Sequence, residues 1–600
     1  MVLERARRDP GGALLVIALV AVAVLYSPTL GRGLVNYDDP WLVRDNWLTG
    51  HASWTSLHAI CCDLGRSTRF VLGAEYLPVR DLSILADSAV WGTWYGGFHL
   101  TSLIIYEAAI AAWFFALCAF GLDRRIVGIA ILVWALHPSH AESVAWIAER
   151  KGVLAALFSG LAALGYARWR GGAHVRWLVV AAACAVLAVW SKAPSVFALA
   201  SLAALELVIP ASASESRPLH SGPGRASRQR SFVGLGVIAG AATLAFVPVL
   251  VVARALGVVD GAPVGPAPGP GLALGLHGFY MRLGFATVRN APSYPIATGG
   301  PSTLDMILGA VTLLAALALL VPRVRTELRA GAAIWLVGFI PLSRLVLPVR
   351  GVVLADRYLL VPSLGLALVV GALAMMLEDR RLRAALVLTL AFALAMRTLD
   401  AQANWRDPVT LWQRAVAVNP RDGDAWSMYA EALDDAGEQQ QAIEAVLRGM
   451  HRTSSPRLVM REALIVLEHG DRTKGENLMR TAARGGEPRA MANLALLELA
   501  DGQTADALAW ARKSATVAPL YANGQRTHGK VALAAHEPAE ALQAFQQALA
   551  LEPESVANRF NLALALIDLG RRSEARPYLE ACLHDPGLGP RATALLEAAP

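Results

Sequence analysis

Apolar stretches long enough to cross a bilayer recur through the first two-thirds of the chain. No other property constrains its fold as strongly. A membrane helix needs ~20 apolar residues, and only closed hydrogen-bonding patterns survive in lipid. Candidate spans lie near 13–30, 99–120, 126–137, 152–167, 177–190, 195–210, 232–254, 304–321, 331–347, 362–377 and 384–399, about eleven in all. The pattern predicts an all-α polytopic bundle over residues 1–400. The stretch 271–290 is apolar but interrupted by His277, Arg282 and Arg289, and reads as re-entrant or interfacial. The first run follows basic residues, yet no small-x-small cleavage site follows it closely and more spans come after. It is therefore read as the first membrane helix rather than a cleaved signal.

Charge supplies the orientation. The 600 residues are 55% hydrophobic and 17% charged. That is too few charges for an ordinary soluble domain, which carries ~25%, or for a disordered chain. Five Cys exclude a disulfide framework. The net charge of +7 is unevenly spread: residues 401–600 hold 21 basic and 25 acidic side chains, residues 1–400 hold 33 and 22. The basic excess thus sits in the apolar part, which excludes a nucleic-acid-binding stripe on a soluble domain.

With the N-terminus inside, the cytoplasmic face gathers Arg5/Arg7/Arg8, Arg124/Arg125, Arg168/Arg170/Arg176, Arg217/Arg225/Arg228/Arg230, Arg323/Arg325/Arg329 and Arg380/Arg381/Arg383. These 18 arginines against seven acids give +11, the whole excess of residues 1–400. The register holds only if 271–290 does not span. It puts everything after residue 400 outside, makes the linker 211–231 a cytoplasmic loop, and predicts a multi-pass protein of the cytoplasmic membrane.

Four outer loops then carry the polar chemistry. The first, residues 31–98, holds Trp41, Trp47, Trp54, Trp91 and Trp94, either an interfacial aromatic belt or a platform for a sugar or lipid head group. It opens on Asn36-Tyr37-Asp38-Asp39-Pro40. Two adjacent carboxylates raise each other's pKa, which suits a general base. The alternative is a helix N-cap with Pro at the first helical position. The second loop runs from His137-Pro138-Ser139-His140-Ala141-Glu142 to Glu149-Arg150-Lys151. Its imidazoles and carboxylate suit hydrogen bonding to a polar substrate better than a metal, because the spacing is not a zincin one. Arg150 and Lys151 either pair with Glu142 or Glu149 or bind an anion. The third turn is Ser191-Lys192-Ala193-Pro194. Lys151 and Lys192 are the only lysines before residue 400, and both fall on this face. Lys192 either snorkels or meets a phosphate. The fourth loop carries Ala355-Asp356-Arg357-Tyr358. Carboxylates, cations and aromatics thus converge on one face, where charge near hydrocarbon is usually functional.

Residues 401–600 show a repeat. Gly437, Gly470, Gly502 and Gly570 are spaced by 33, 32 and 68, and the missing position falls at His536. Pro519, Pro553 and Pro586 are spaced by 34 and 33. A 34-residue period of paired helices marks tetratricopeptide repeats. About five fit, enough for a stable α-solenoid that presents a groove to a peptide or protein.

These blocks, together with Phe98-His99-Leu100-Thr101-Ser102-Leu103, occur in an order that closely resembles the bacterial form of the transmembrane and tetratricopeptide-repeat (TMTC-like) proteins. The block 137–151 is the most specific. The resemblance implies a GT-C class membrane glycosyltransferase, O-mannosyltransferase-like. It further implies a polyprenyl-phosphate sugar donor, a Ser/Thr acceptor on the non-cytoplasmic side, and a catalytic acidic pair matching Asp38 and Asp39. With that reading, His137, His140, Glu142, Arg150, Lys151, Lys192, Asp356 and Arg357 are expected to bind donor phosphate or sugar. A divalent metal between Asp38/Asp39 and the phosphate is possible but not required. The chain departs from the family at Tyr76-Leu77-Pro78-Val79-Arg80-Asp81-Leu82-Ser83, where Asp81 bears on the donor or acceptor pocket. Two other functions remain open: a non-enzymatic membrane scaffold, and a GT-C enzyme acting on a lipid or glycan.

Overall fold

The computed structural model describes residues 9–209, 225–256, 269–285, 288–296, 300–345 and 354–598. Arg5, Arg7, Arg8 and Arg217, most of the linker 211–231 and the end of the segment 331–347 lie outside the described residues. Among the described residues the chain is helical without strands. It divides into two compact units, Met1–Asn419 and Pro420–Pro600.

In the first unit every expected apolar segment forms a helix. Among the described residues five helices are long and apolar enough to cross a membrane: Pro10–Gly31, Tyr95–Ala119, Ile147–Arg170, Arg228–Ala255 and Arg380–Ala403. Arg176–Ser191, Ser195–Val208, Thr303–Ala318 and Pro362–Met375 are shorter apolar helices. The surface of these helices is inverted relative to a soluble protein. Leu207, Phe232, Leu244, Leu314 and Phe392 are all exposed, a pattern that fits lipid and would aggregate in water. Helices approach closely where side chains are absent. A Cβ on Gly331 or Gly365 would stand 2.5 Å from the other's carbonyl oxygen, the small-residue packing expected in membranes. Trp113 and Trp134 are fully buried, and their indoles donate to Ala156 O at 3.0 Å and Leu360 O at 2.7 Å.

The interrupted stretch forms the helix Pro270–Gly284, buried along most of its length. Gly278 and Gly309 let it pack against Thr303–Ala318. His277, which broke the apolar pattern, receives the Trp335 indole N–H at 2.9 Å. The first outer loop folds into short helices and the longer Pro78–Trp91.

In the second unit, helices pair from Gly423–Asp435 with Gln439–Met450 through to Val556–Asp568 with Arg572–Glu580, followed by Gly589–Glu597. The repeat phase is visible in the backbone. Gly437, Gly470, Gly502 and Gly570 have φ of 80°, 85°, 76° and 74°. His536, at the position lacking glycine, takes the same left-handed conformation at φ 59°. Each turn requires that conformation, and glycine adopts it without a Cβ clash.

Candidate functional site

The two adjacent aspartates have different jobs. Pro40 opens the short helix Pro40–Arg44, but the Asp39 side chain does not cap it. Instead Asp39, 1% exposed, accepts the Val35 N–H at 3.1 Å and the Ala148 N–H at 2.9 Å. It thereby ties the first outer loop to the second. Burial pushes its carboxyl up to about 7 against the pull of those hydrogen bonds. Asp38 is half-buried, and its carboxylate has no hydrogen bond or ion pair to a described residue. Burial raises its pKa, while the charges of Lys151 and Arg357 pull the other way.

The second loop is buried, and its histidines, expected to meet a substrate, bond to the protein itself. His137 Nε2 donates to Gly284 O at 2.7 Å, and Nδ1 pairs with Ser139 Oγ at 2.7 Å. His140 is held by the Tyr106 hydroxyl at 2.8 Å and Ser363 Oγ at 2.9 Å. Burial holds the His140 pKa well below its ordinary value, so that imidazole is neutral. Their nitrogens join separate helices and loops. Asp356 is likewise engaged, by the Tyr294 hydroxyl at 2.5 Å and Asn290 Nδ2 at 2.8 Å. Burial and the nearby Glu142 raise its pKa.

The cations sort into two sets. Arg150 is fully buried and pairs with Asp87 at 2.6 Å, with further bonds to Ser102 Oγ at 3.0 Å and Phe98 O at 2.6 Å. It is a structural ion pair, and neither Glu142 nor Glu149 is its partner. Lys151 pairs with Glu75 at 2.9 Å, and Glu75 also meets Arg80 at 3.0 Å. Burial opposes the charge on Glu75, but Lys151 and Arg80 hold its pKa at about 2. Glu142 binds both the backbone N–H and the guanidinium of Arg357. Glu149 bridges Lys192 and Arg357. Asp81 is fully buried as the counter-ion of Arg80 at 2.8 Å.

Lys192, Arg344 and Arg357 line one cavity of about 170 Å³, together with Gly152, Phe197, Tyr358 and apolar side chains. Lys192 Nζ lies 5.8 Å from the centre of the Tyr358 ring. None of the five tryptophans of the first loop lines this cavity. Trp41, Trp54 and Trp94 are exposed at the surface. The aromatics beside Asp38 come from elsewhere. Trp146 is sandwiched between Tyr37 at 4.8 Å and Trp405 at 5.1 Å, nearly parallel to both. Arg357 lies 5.6 Å over the same indole.

Among the described residues no three His, Cys, Asp or Glu side chains converge as a metal site. Each Asp39 oxygen accepts one backbone N–H.

Sequence reasoning missed Glu75, Asp87, Trp405 and Trp412. Each acts through a residue distant in sequence, and only an unexplained buried cation such as Arg150 signals that a partner must exist.

Tetratricopeptide repeat models match residues 395–454 and 532–599. The human protein O-mannosyl-transferase TMTC3 is 23% identical over 533 residues, covering 80% of this chain and 57% of that protein. The mouse TMTC3 gives 23% over 537 residues, 79% and 56%. The Drosophila melanogaster Tmtc2 is 39% identical over 87 residues, 14% and 9%. The chain thus spans somewhat over half the length of the TMTC3 proteins it matches. Among solved structures, YrrB, a TPR protein, is 15% identical, covering 30% of this chain and 97% of its own at a TM-score of 0.25. Pseudomonas aeruginosa pilF is 18% identical, covering 29% and 80% at 0.26. The chain is thus similar over about four-fifths of its length to O-mannosyl-transferases of the TMTC3 type, and tetratricopeptide repeat models match parts of its C-terminal third.

Proposed function

We propose that the chain is a membrane glycosyltransferase that moves a sugar, mannose by analogy with its relatives, from a polyprenyl phosphate to Ser or Thr hydroxyls of exported proteins. One observation carries the reading. Asp38 is a half-buried carboxylate with no described partner, the charges of Lys151 and Arg357 act on it, and Arg357 lines an apolar cavity with Lys192. The cavity suits a prenyl tail and its cations suit a phosphate.

In the proposed step the acceptor oxygen attacks the anomeric carbon as its proton passes to Asp38. The bond from that carbon to the phosphate oxygen breaks, and the electron pair leaves with the polyprenyl phosphate. Lys192 and Arg357 stabilise that growing charge. A raised pKa makes Asp38 a better base once it is ionised. A single displacement inverts the anomeric centre. Asp39 positions the loop rather than taking the proton. The repeats, protein-interaction modules in general, hold the acceptor near the site and raise its effective concentration. On this reading the N-terminus is cytoplasmic, and the repeats and site face outward from the cytoplasmic membrane.

The test is sugar transfer from a polyprenyl-phosphate donor to acceptor protein in membranes containing the full chain. Transfer that survives Asp38→Asn and Asp39→Asn together in folded protein refutes the base. A strain lacking the protein whose changed glycoconjugate is a lipid or glycan points to a different acceptor class.

A further inference from the structure

Glu149 stands where a carboxylate ordinarily serves its own helix. It is the N-cap residue of the helix Arg150–Arg170, yet its side chain caps no backbone N–H. Nor does it pair with the cations that follow it in sequence, since Asp87 takes Arg150 and Glu75 takes Lys151. Its oxygens turn to residues far along the chain. Oε1 bonds Lys192 Nζ, and Oε2 lies 3.7 Å from Arg357 Nε. Among the described residues Glu149 is the one carboxylate that pairs with both of these cations. Lys192 and Arg357 line the cavity, and Glu149 does not. It is 1% exposed, so it acts on an occupant of the cavity through charge rather than contact, and a buried charge is little screened.

The proposed reaction makes that charge matter. Its donor is a phosphate diester with a single negative charge. The lipid left after transfer is a monoester, which carries roughly −1.5 to −2 at neutral pH. Two unopposed cations favour the more highly charged lipid, so spent product would outcompete fresh donor. A carboxylate fixed behind those cations repels each lipid in proportion to its charge. It therefore weakens product more than donor.

We propose that Glu149 sets the charge of the phosphate site, and with it the site's preference between donor and product. The inference rests on the donor class given above. Glu149 touches neither lipid and acts through Lys192 and Arg357. Glu142 differs, because it holds the backbone N–H and the guanidinium of Arg357 and does not reach Lys192.

The experiment measures binding of polyprenyl-phosphate mannose and of bare polyprenyl phosphate to the full-length protein in detergent at neutral pH. Wild type should bind the bare lipid no more tightly than the donor. A wild-type preference for the bare lipid of about tenfold or more overturns the proposal without any variant. Glu149→Gln keeps the shape and removes the charge. It should shift the ratio of affinities toward the bare lipid by about 3- to 10-fold, the scale of one charge acting across a few ångströms of partly wet protein. Glu149→Asp keeps the charge and should return the ratio to the wild-type value. In transfer assays added polyprenyl phosphate should inhibit Glu149→Gln more strongly than wild type, and donor KM should not rise. A merely structural role predicts equal weakening of both lipids by Glu149→Gln. That result, or an unchanged ratio, overturns the proposal. A shifted ratio with no transfer by wild type refutes the transferase reading and leaves the charge-setting role standing. Transfer by wild type with an unshifted ratio does the reverse.

Discussion

Trp412 Nε1 donates to Asn36 Oδ1 at 2.7 Å, joining the helix Pro408–Val418 to the head of the first outer loop. The Trp412 ring also meets Tyr37 edge-on at 5.3 Å. A helix beyond the last span therefore braces the residues that precede Asp38. Trp412→Phe keeps the ring and removes the donor. It should lower kcat about tenfold by loosening the base's position, with donor KM little changed. Asn36→Ala should give the same loss. The two should be non-additive in a double-mutant cycle, with a coupling of about 1 kcal/mol.

The two aspartates should separate chemistry from stability. Asp38→Asn is expected to reduce transfer by roughly 10²- to 10⁴-fold, the range for a lost general base, with the melting temperature unchanged. Asp39→Asn places an amide N–H₂ against a backbone N–H and should cost about 1–3 kcal/mol of stability. Thermal melting in detergent and transfer assays on both variants check this. Equal loss of stability in the two would contradict the division of roles.

The Asp39 carboxyl makes stability depend on pH with a defined sign. Its pKa is 3.8 when unperturbed and about 7 when folded. Between those values the native state holds a proton that the unfolded state releases, so stability falls as pH rises from about 4 to 7 and levels off above. The full effect is on the order of 4 kcal/mol. Melting curves from pH 4 to 8 should show this slope, and Asp39→Asn should flatten it. Transfer should move in the opposite direction, rising with pH as Asp38 loses its proton.

Arg150 should behave as a scaffold residue. Removing it leaves Asp87 buried and unpaired, so Arg150→Ala should cost about 3–5 kcal/mol. Arg150→Met with Asp87→Leu should recover most of that. A variant of Arg150 that stays as stable as wild type but loses donor binding would show that the guanidinium contacts ligand after all.

His536 carries a positive φ at a turn where the other repeats place glycine. His536→Gly should stabilise the repeats by about 1 kcal/mol. Denaturant titration of the full protein, followed by a probe within the repeat unit, measures the shift.

Periodicity was enough to establish the all-helical class and the repeats from the residues alone. Apolar length specifies membrane helices because lipid admits no unpaired backbone. The 33- and 34-residue spacing specifies repeats because each turn needs the same left-handed residue, His536 included. Chemistry was legible only where a residue's role is local. Lys192 and Arg357 line one cavity, while Asp38 does not. The roles of His137, His140, Arg150 and Asp356 were decided by partners far away in sequence: Gly284, Tyr106, Asp87 and Tyr294. Whether a buried polar side chain serves a ligand or a neighbouring helix depends on which atoms satisfy its hydrogen bonds. Packing alone supplies those atoms. It also gave adjacent, chemically identical aspartates opposite environments, one held by two backbone N–H groups and the other left open.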